Sequence, residues 1–201
     1  MADSYFHPAA LVESDAVGTG TRVWAYAHVM RGARVGSNCN VGDHAFVESG
    51  AIVGNNVTLK NNVCVWAGIT LEDDVFVGPN ATFTNDRYPR SPRMREAAGR
   101  YATTDSWLAL TVVERGVSIG ANVTVVPGLR LGRYSMIAAG AIITADVPPF
   151  ALMVGAPARI VGHVCRCGQK LFGDYRAATC DACGETPQMR CHQSELEAIT
   201  L

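Results

Sequence analysis

The chain has 201 residues with 17 basic and 18 acidic side chains, a formal net charge of −1. That balance gives no electrostatic case for binding DNA, RNA or an anionic membrane surface. Residues 1–8 hold no apolar core of signal-peptide length, and the longest apolar runs, such as 136–145, are too short to span a bilayer; the expectation is a cytoplasmic chain with no nucleic-acid partner and no membrane insertion.

From Leu11 an aliphatic or aromatic residue recurs every six positions: Val17, Val23, Val29, Val35, Val41, Val47, Val53, Leu59, Val65, Leu71, Val77 and Phe83. A smaller residue follows four positions after many of these, as at Ala27, Ala33, Cys39, Ala45 and Ala51. The positions between are rich in Gly, Asn, Asp and Ser, which make turns cheaply. A helix would repeat near 3.6 and a strand near 2. A period of six with turn residues in every unit reads as short strand, corner, short strand: an all-β solenoid.

The beat breaks over residues 84–112, where a polar stretch from Asn85 to Arg93 carries two prolines. A loop of that length inside a compact domain is uncommon and often functional. The beat resumes at Val113, Ile119, Val125, Leu131, Ile137 and Ile143, and Pro148-Pro149 is expected to end the strands. The repeat is gone from about residue 163. The expected division is therefore a solenoid domain over 1–162, with 84–112 inserted, and a Cys-rich tail over 163–201.

The repeats resemble the hexapeptide acyltransferases. The stretch from Val65 through Trp66-Ala67-Gly68 and Leu71-Glu72-Asp73-Asp74 to Phe83-Thr84-Asn85-Asp86 is similar to a segment of the nucleotide-sugar 3-amine N-acetyltransferases. So are residues 21–29 and Val154-Gly155-Ala156-Pro157-Ala158-Arg159, although many relatives carry Asn where Ala156 stands. The resemblance implies a left-handed parallel β-helix with three hexapeptides, 18 residues, per coil. It also implies a homotrimer with CoA held between adjacent prisms. The reaction it implies is acetyl transfer from acetyl-CoA to the 3-amino group of a UDP- or dTDP-linked sugar, for surface polysaccharide. With 18 residues per coil, His28, Phe46, Cys64 and Thr82 form one outward file. Arg31, Ser49, Ala67 and Asn85 form a corner file beside it.

Asn85 stands where the beat enters the loop; its side-chain oxygen can accept a hydrogen bond from an incoming amine, the role the resemblance gives to it. It is equally an ordinary turn residue. Asp86 is a candidate base or sugar-hydroxyl ligand. His28 is a substrate contact or a base, although three rungs, roughly 14 Å at strand spacing, separate it from Asn85. Arg31 suits a diphosphate, Trp66 a base or sugar ring, and Glu72 a substrate contact; each also reads as a solvated corner or seam residue. Ala138, Ala139 and Gly140 would permit close approach of a pantetheine arm, and Arg159 would meet the phosphates of CoA.

In the tail, Cys165-Arg166-Cys167-Gly168 and Cys180-Asp181-Ala182-Cys183-Gly184 form two pairs, each followed by glycine. In a cytoplasmic chain such a cluster points to metal: a structural, ribbon-type zinc site of Cys165, Cys167, Cys180 and Cys183. Cys191, His192 or His163 is an alternative ligand. Competing functions are a sugar O-acetyltransferase, which would need a histidine base, and a non-enzymatic trimeric scaffold. A hexapeptide carbonic anhydrase needs three converging histidines, and only His28 and His44 lie well inside the repeats.

Overall fold

The computed structural model describes residues 3–173 and 177–186. Most strands are only two residues long, because a hexapeptide leaves four residues to turn each corner. In the strands His28–Val29, Arg34–Val35 and Asn40–Val41 the second residue points inward and is at most 2% exposed. Three such strands close one coil, and successive coils stack in parallel. Val29 faces Val47 and Val47 faces Val65, an offset of 18. The expected outward file is present: His28 lies on Phe46, Phe46 on Cys64 and Cys64 on Thr82.

Three sheets result. The first face includes Arg22–Val23, Asn40–Val41, Phe76–Val77 and Met136–Ile137. The second includes His28–Val29, Cys64–Val65, Thr82–Phe83 and Ile142–Ile143. The third includes Arg34–Val35, Ile69–Leu71, Thr111–Val113 and Arg130–Leu131. The corners form three edges: one between the first and second faces, one between the second and third, and one between the third and first. The inward residues make one continuous core from Val23 to Ala158. Each buried aliphatic side chain contributes on the order of 1.5–3 kcal/mol.

Two boundaries differ from the sequence pattern. In the first coil Val12, not Leu11, lies on Val29, and Phe6 lies on Val23, both offsets of 17. Leu11 therefore points outward and is 54% exposed; the segment before Val17 is one residue short, which shifts the phase. At the other end, Pro148-Pro149 turns a corner instead of ending the array. Val147 bridges to Leu131, and Ala151–Gly155 adds a further strand to the first face. That strand pairs antiparallel with Ala158–Val164, which in turn pairs with Lys170–Leu171.

The interruption is an insertion and leaves the register intact. Thr82 lies on Thr124 and Leu71 on Val113, offsets of 42, one coil of 18 plus 24 inserted residues. The inserted arm carries two short 3-10 turns, Ala98–Tyr101 and Thr104–Ser106. An antiparallel bridge between Asp86 and Leu108 closes its root.

Candidate active site

Every corner must turn the chain through a left-handed residue, and Asn or Asp adopts that conformation at modest cost. Asn56, Asn62, Asp74, Asn80 and Asn122 do so here, and their side chains bond along the stack, Asn56 to Asp74 at 2.9 Å and Asn62 to Asn80 at 3.0 Å. The edge between the second and third faces departs from this regular pattern. There, Glu48 accepts a hydrogen bond from the Ala67 amide at 2.8 Å. The Ala67 carbonyl accepts one from Asn85 Nδ2 at 3.2 Å. Only the amide nitrogen can face a carbonyl, so this contact fixes the orientation of the Asn85 side chain. Its Oδ1, an acceptor, has no partner among the described residues. The Asn85 carbonyl accepts from the Ala109 amide at 2.8 Å, which ties it to the returning end of the arm.

Below Asn85 runs a file of rings. Trp66 donates its indole N–H to the Phe83 carbonyl at 3.0 Å and tilts against Phe46 at 5.4 Å. Phe46 meets the edge of His28 at 5.3 Å. His28 Nε2 lies 3.0 Å from a Glu13 carboxylate oxygen. The hydrogen bond to His28 holds the Glu13 carboxyl below its ordinary value. With its N–H used and its ring against the core, Trp66 braces Phe83 beneath the Asn85 corner. Glu13 was missed in the sequence, because a coil one residue short hides its place next to His28.

Asp86 has a different job from the one its position suggests. Desolvation would raise its carboxyl; the Tyr101 hydroxyl, the Tyr88 amide and the Arg100 guanidinium outweigh that and hold it below the ordinary range. Tyr101 donates to it at 2.7 Å and Tyr88 N–H at 2.9 Å, and Arg100 pairs with it. A carboxylate so occupied and so acidic is a poor base. It is the hub on which the arm folds. Arg100 in turn lies against the Tyr101 ring at 5.3 Å and donates to the Tyr88 carbonyl.

Between this arm and the Gly128 corner lies a cleft of about 390 Å³ whose walls include Arg87, Tyr88, Arg100, Trp107 and Leu110. It opens next to Asn85, since the Asn85 carbonyl is bonded to the wall residue Ala109. Not all the expected site residues gather here. Glu72 lies on the edge between the third and first faces, where its carboxylate accepts from the Arg115 amide at 2.9 Å; it braces a corner. Ala138, Ala139 and Gly140 turn the edge between the first and second faces, on the far side of the second sheet from Asn85. Arg159 is exposed on the terminal hairpin and donates to the Ala158 carbonyl at 2.9 Å. Arg31 is exposed three coils below Asn85.

In the tail the sulfur atoms of Cys165, Cys167, Cys180 and Cys183 all lie within 4.8 Å of one another. Sγ–Sγ separations are 3.5 Å for Cys165–Cys183 and 3.6 Å for Cys167–Cys180. A tetrahedral site with metal–sulfur bonds of about 2.3 Å requires edges of about 3.8 Å, so the four thiols fit one metal ion. Each pair closes a tight turn, Gly168 N–H donating to Cys165 and Gly184 N–H to Cys180. Burial pushes the Cys165 thiol up to about 12, whereas the Cys183 and Ala182 amides pull Cys180 down to about 7. Cys191 and His192 lie outside the described residues.

A parallel β-solenoid of six-residue units, with a polar arm inserted at one edge, defines the class of protein. The bacterial transferase hexapeptide family (six repeats) matches residues 110–145, and the hexapeptide repeat of succinyl-transferase matches 32–67. Over 181 residues the chain is 44% identical to dTDP-3-amino-3,6-dideoxy-alpha-D-galactopyranose 3-N-acetyltransferase of Aneurinibacillus thermoaerophilus, covering 90% of this chain and 88% of the relative. It is 33% identical over 99 residues to galactoside O-acetyltransferase of Lactococcus lactis, 45% of each chain. Among solved structures, UDP-N-acetylglucosamine acyltransferase of Bacteroides fragilis shares the fold, with a TM-score of 0.64, 19% identity and coverage of 81% of this chain and 62% of that one. The chain belongs to the hexapeptide-repeat acetyltransferases.

Proposed function

We propose that this protein is an acetyl-CoA-dependent N-acetyltransferase for the 3-amino group of a dTDP-linked 3-amino-3,6-dideoxyhexose. The similarity to the Aneurinibacillus enzyme along nine-tenths of the chain supports the substrate class. The observation that carries the chemistry is Asn85, next in the chain to the arm that walls the cleft, its amide nitrogen held by the Ala67 carbonyl and its oxygen an acceptor without a partner among the described residues.

Thioester aminolysis needs a neutral amine aimed at a carbonyl carbon. Asn85 Oδ1 accepts one N–H of the amine and so turns the nitrogen lone pair toward the thioester. Holding the two reactants in register removes several kcal/mol of barrier. Backbone N–H groups at the corners stabilise the developing oxyanion. The nitrogen–carbon bond forms, the carbon–sulfur bond breaks, and the proton lost by nitrogen ends on the departing sulfur as the CoA thiol. No side-chain base is required, which agrees with Asp86 being committed to the arm.

The active form in this proposal is a cytoplasmic homotrimer in which a neighbouring prism brings the Ala138–Gly140 edge and Arg159, with their CoA, to the Asn85 edge of this one. The product would serve surface-polysaccharide assembly. Zinc on the four tail cysteines would be structural, because four thiolates leave no open position. The His28–Glu13 pair supports a second reading, O-acetyl transfer with a carboxylate-oriented histidine base.

Thiol release from acetyl-CoA with dTDP-3-amino and dTDP-3-hydroxy sugars separates the two. Release with the amine alone, reduced about 100-fold by Asn85→Ala and retained in His28→Ala, is expected. Release with the hydroxyl sugar that depends on His28 would establish the O-acetyl reading. Metal analysis of the purified chain is expected to give one zinc, lost in Cys180→Ser.

A further inference from the structure

Two arginines line the cleft beside Asn85, and they are held very differently. Arg100 is neutralised by Asp86 and packed against Tyr101. Arg87 is exposed, and among the described residues its guanidinium makes one long hydrogen bond, from Nη2 to the Gly128 carbonyl at 3.5 Å. The seat for that guanidinium depends on glycine. A Cβ at Gly128 would stand 2.4 Å from Arg87 Nη2 and 3.1 Å from Nε, and Gly128 has φ +80°. The corner itself is fixed, because the Gly128 amide donates to the Thr111 hydroxyl at 3.0 Å. The result is a cation on a rigid backbone platform, with most of its donors unspent, at the wall of a cleft.

We propose that Arg87, seated on Gly128, recognises the diphosphate that joins the amino sugar to its nucleoside. This rests on the N-acetyltransferase reading and assigns to it the residue that selects a nucleotide-linked sugar over a free one. The argument is one of reach. Asn85 and Arg87 are two residues apart, so their Cα atoms lie within about 7 Å. In a 3-amino nucleotide sugar the amine and the anomeric phosphate sit on ring carbons separated by a single atom. One short segment can therefore hold both. In CoA the diphosphate and the thioester are separated by the whole pantetheine arm, too far for a residue this close to the reacting nitrogen. Arg31 fails the same test in the opposite direction, because three rungs, roughly 14 Å, exceed the span of one sugar ring. A guanidinium presents paired N–H donors to phosphate oxygens, and the exposed Tyr88 and Leu110 side chains supply an apolar wall.

The test is calorimetric titration of the 201-residue chain with dTDP and, separately, with acetyl-CoA, for the wild type, Arg87→Gln, Arg87→Lys and Gly128→Ala. Thermal melts check that each variant is folded. Arg87→Gln and Gly128→Ala are expected to weaken dTDP at least tenfold and leave acetyl-CoA unchanged, with Arg87→Lys between. In turnover the same variants raise KM for the nucleotide sugar more than they lower kcat. Equal dTDP affinity in wild type and Arg87→Gln overturns the inference, as does a loss confined to acetyl-CoA. A wild type that binds acetyl-CoA but not dTDP overturns it alone. A wild type that binds neither and transfers no acetyl group overturns the N-acetyltransferase reading and this inference with it.

Discussion

Two edges of the same prism, built from the same six-residue unit, have been put to opposite uses. On the edge between the third and first faces the corner side chains bond to one another and to backbone. Asp73 accepts from the Asn55 amide at 2.7 Å and from Arg115 at 2.7 Å, and Asn56 donates to Asp74. These polar groups are spent on neighbours one coil away, and the edge is a staple. On the edge between the second and third faces the chain leaves at Asn85 for 24 inserted residues, and among the described residues the Asn85 side-chain oxygen has no partner and Arg87 makes one long hydrogen bond. The repeat supplies the rigidity on both edges. The proposed site lies where the repeat leaves polar groups to spare, as expected of a site carried by loops on a stiff scaffold.

Substitutions can break that comparison. Phe83 is 1% exposed and packs inside the core, with Val125 of the next coil stacked on it, beside the Asn85 corner. Phe83→Ala is expected to cost about 3–5 kcal/mol in chemical denaturation and to reduce activity as well, since Trp66 and Asn85 are placed by its backbone and its neighbour. Asn85→Ala should reduce kcat by about 100-fold, the order lost when one positioned hydrogen-bonding group is removed from a transition state. Its melting temperature should stay close to wild type, because only the bond to Ala67 is lost. The equivalent experiment on the other edge should give the reverse pattern. Asn56 holds φ +57°, so Asn56→Ala is expected to cost on the order of 1–2 kcal/mol in denaturation with kcat unchanged. A large kcat effect at Asn56, or a large stability effect at Asn85, would erase the distinction between the edges.

The smallest expected effect is at Asp73. The Asn55 amide, together with Arg115, holds its carboxyl below the ordinary value. A carboxyl depressed in the folded state stabilises above its unfolded value, and that contribution is lost as pH falls through the folded one. Asp73→Asn should therefore cost under about 1 kcal/mol at neutral pH. The difference from wild type should vanish in acid, which paired urea titrations across pH would show.

The beat of Val, Leu and Ile positions made the coil legible because inward burial at a fixed spacing constrains residue type directly. The same argument located the arm, since a run such as Asn85 to Arg93 cannot continue a buried file. Asn85 was singled out from the matching motif and from standing at the break, and the structure places it at the root of the arm. Glu13 and the role of Val12 were not, because a single missing residue before Val17 leaves no mark in composition. Asp86 misled for a related reason. Its partners Arg100 and Tyr101 lie 14 and 15 residues away in a segment without periodicity, so nothing local distinguishes a free carboxylate from a hub.

The sequence by itself determined the strand-and-corner unit, the position of the insertion and the four-cysteine grouping, because each follows from a local spacing rule: six for the unit, its loss for the arm, paired cysteines with glycine for the knuckles; three faces per coil came from the resemblance. Given 18 residues per coil the outward file could be drawn from the sequence, but only the tertiary structure decided which of the candidate side chains come together and what each one touches. It set Glu72 and the Ala138–Gly140 corner on different edges from Asn85, gave Asp86 to the arm, and seated Arg87 on Gly128. The roles of Asp86 and Arg87 depend on contacts with residues 14 to 41 positions away, where the energy lies in geometry that no local pattern encodes.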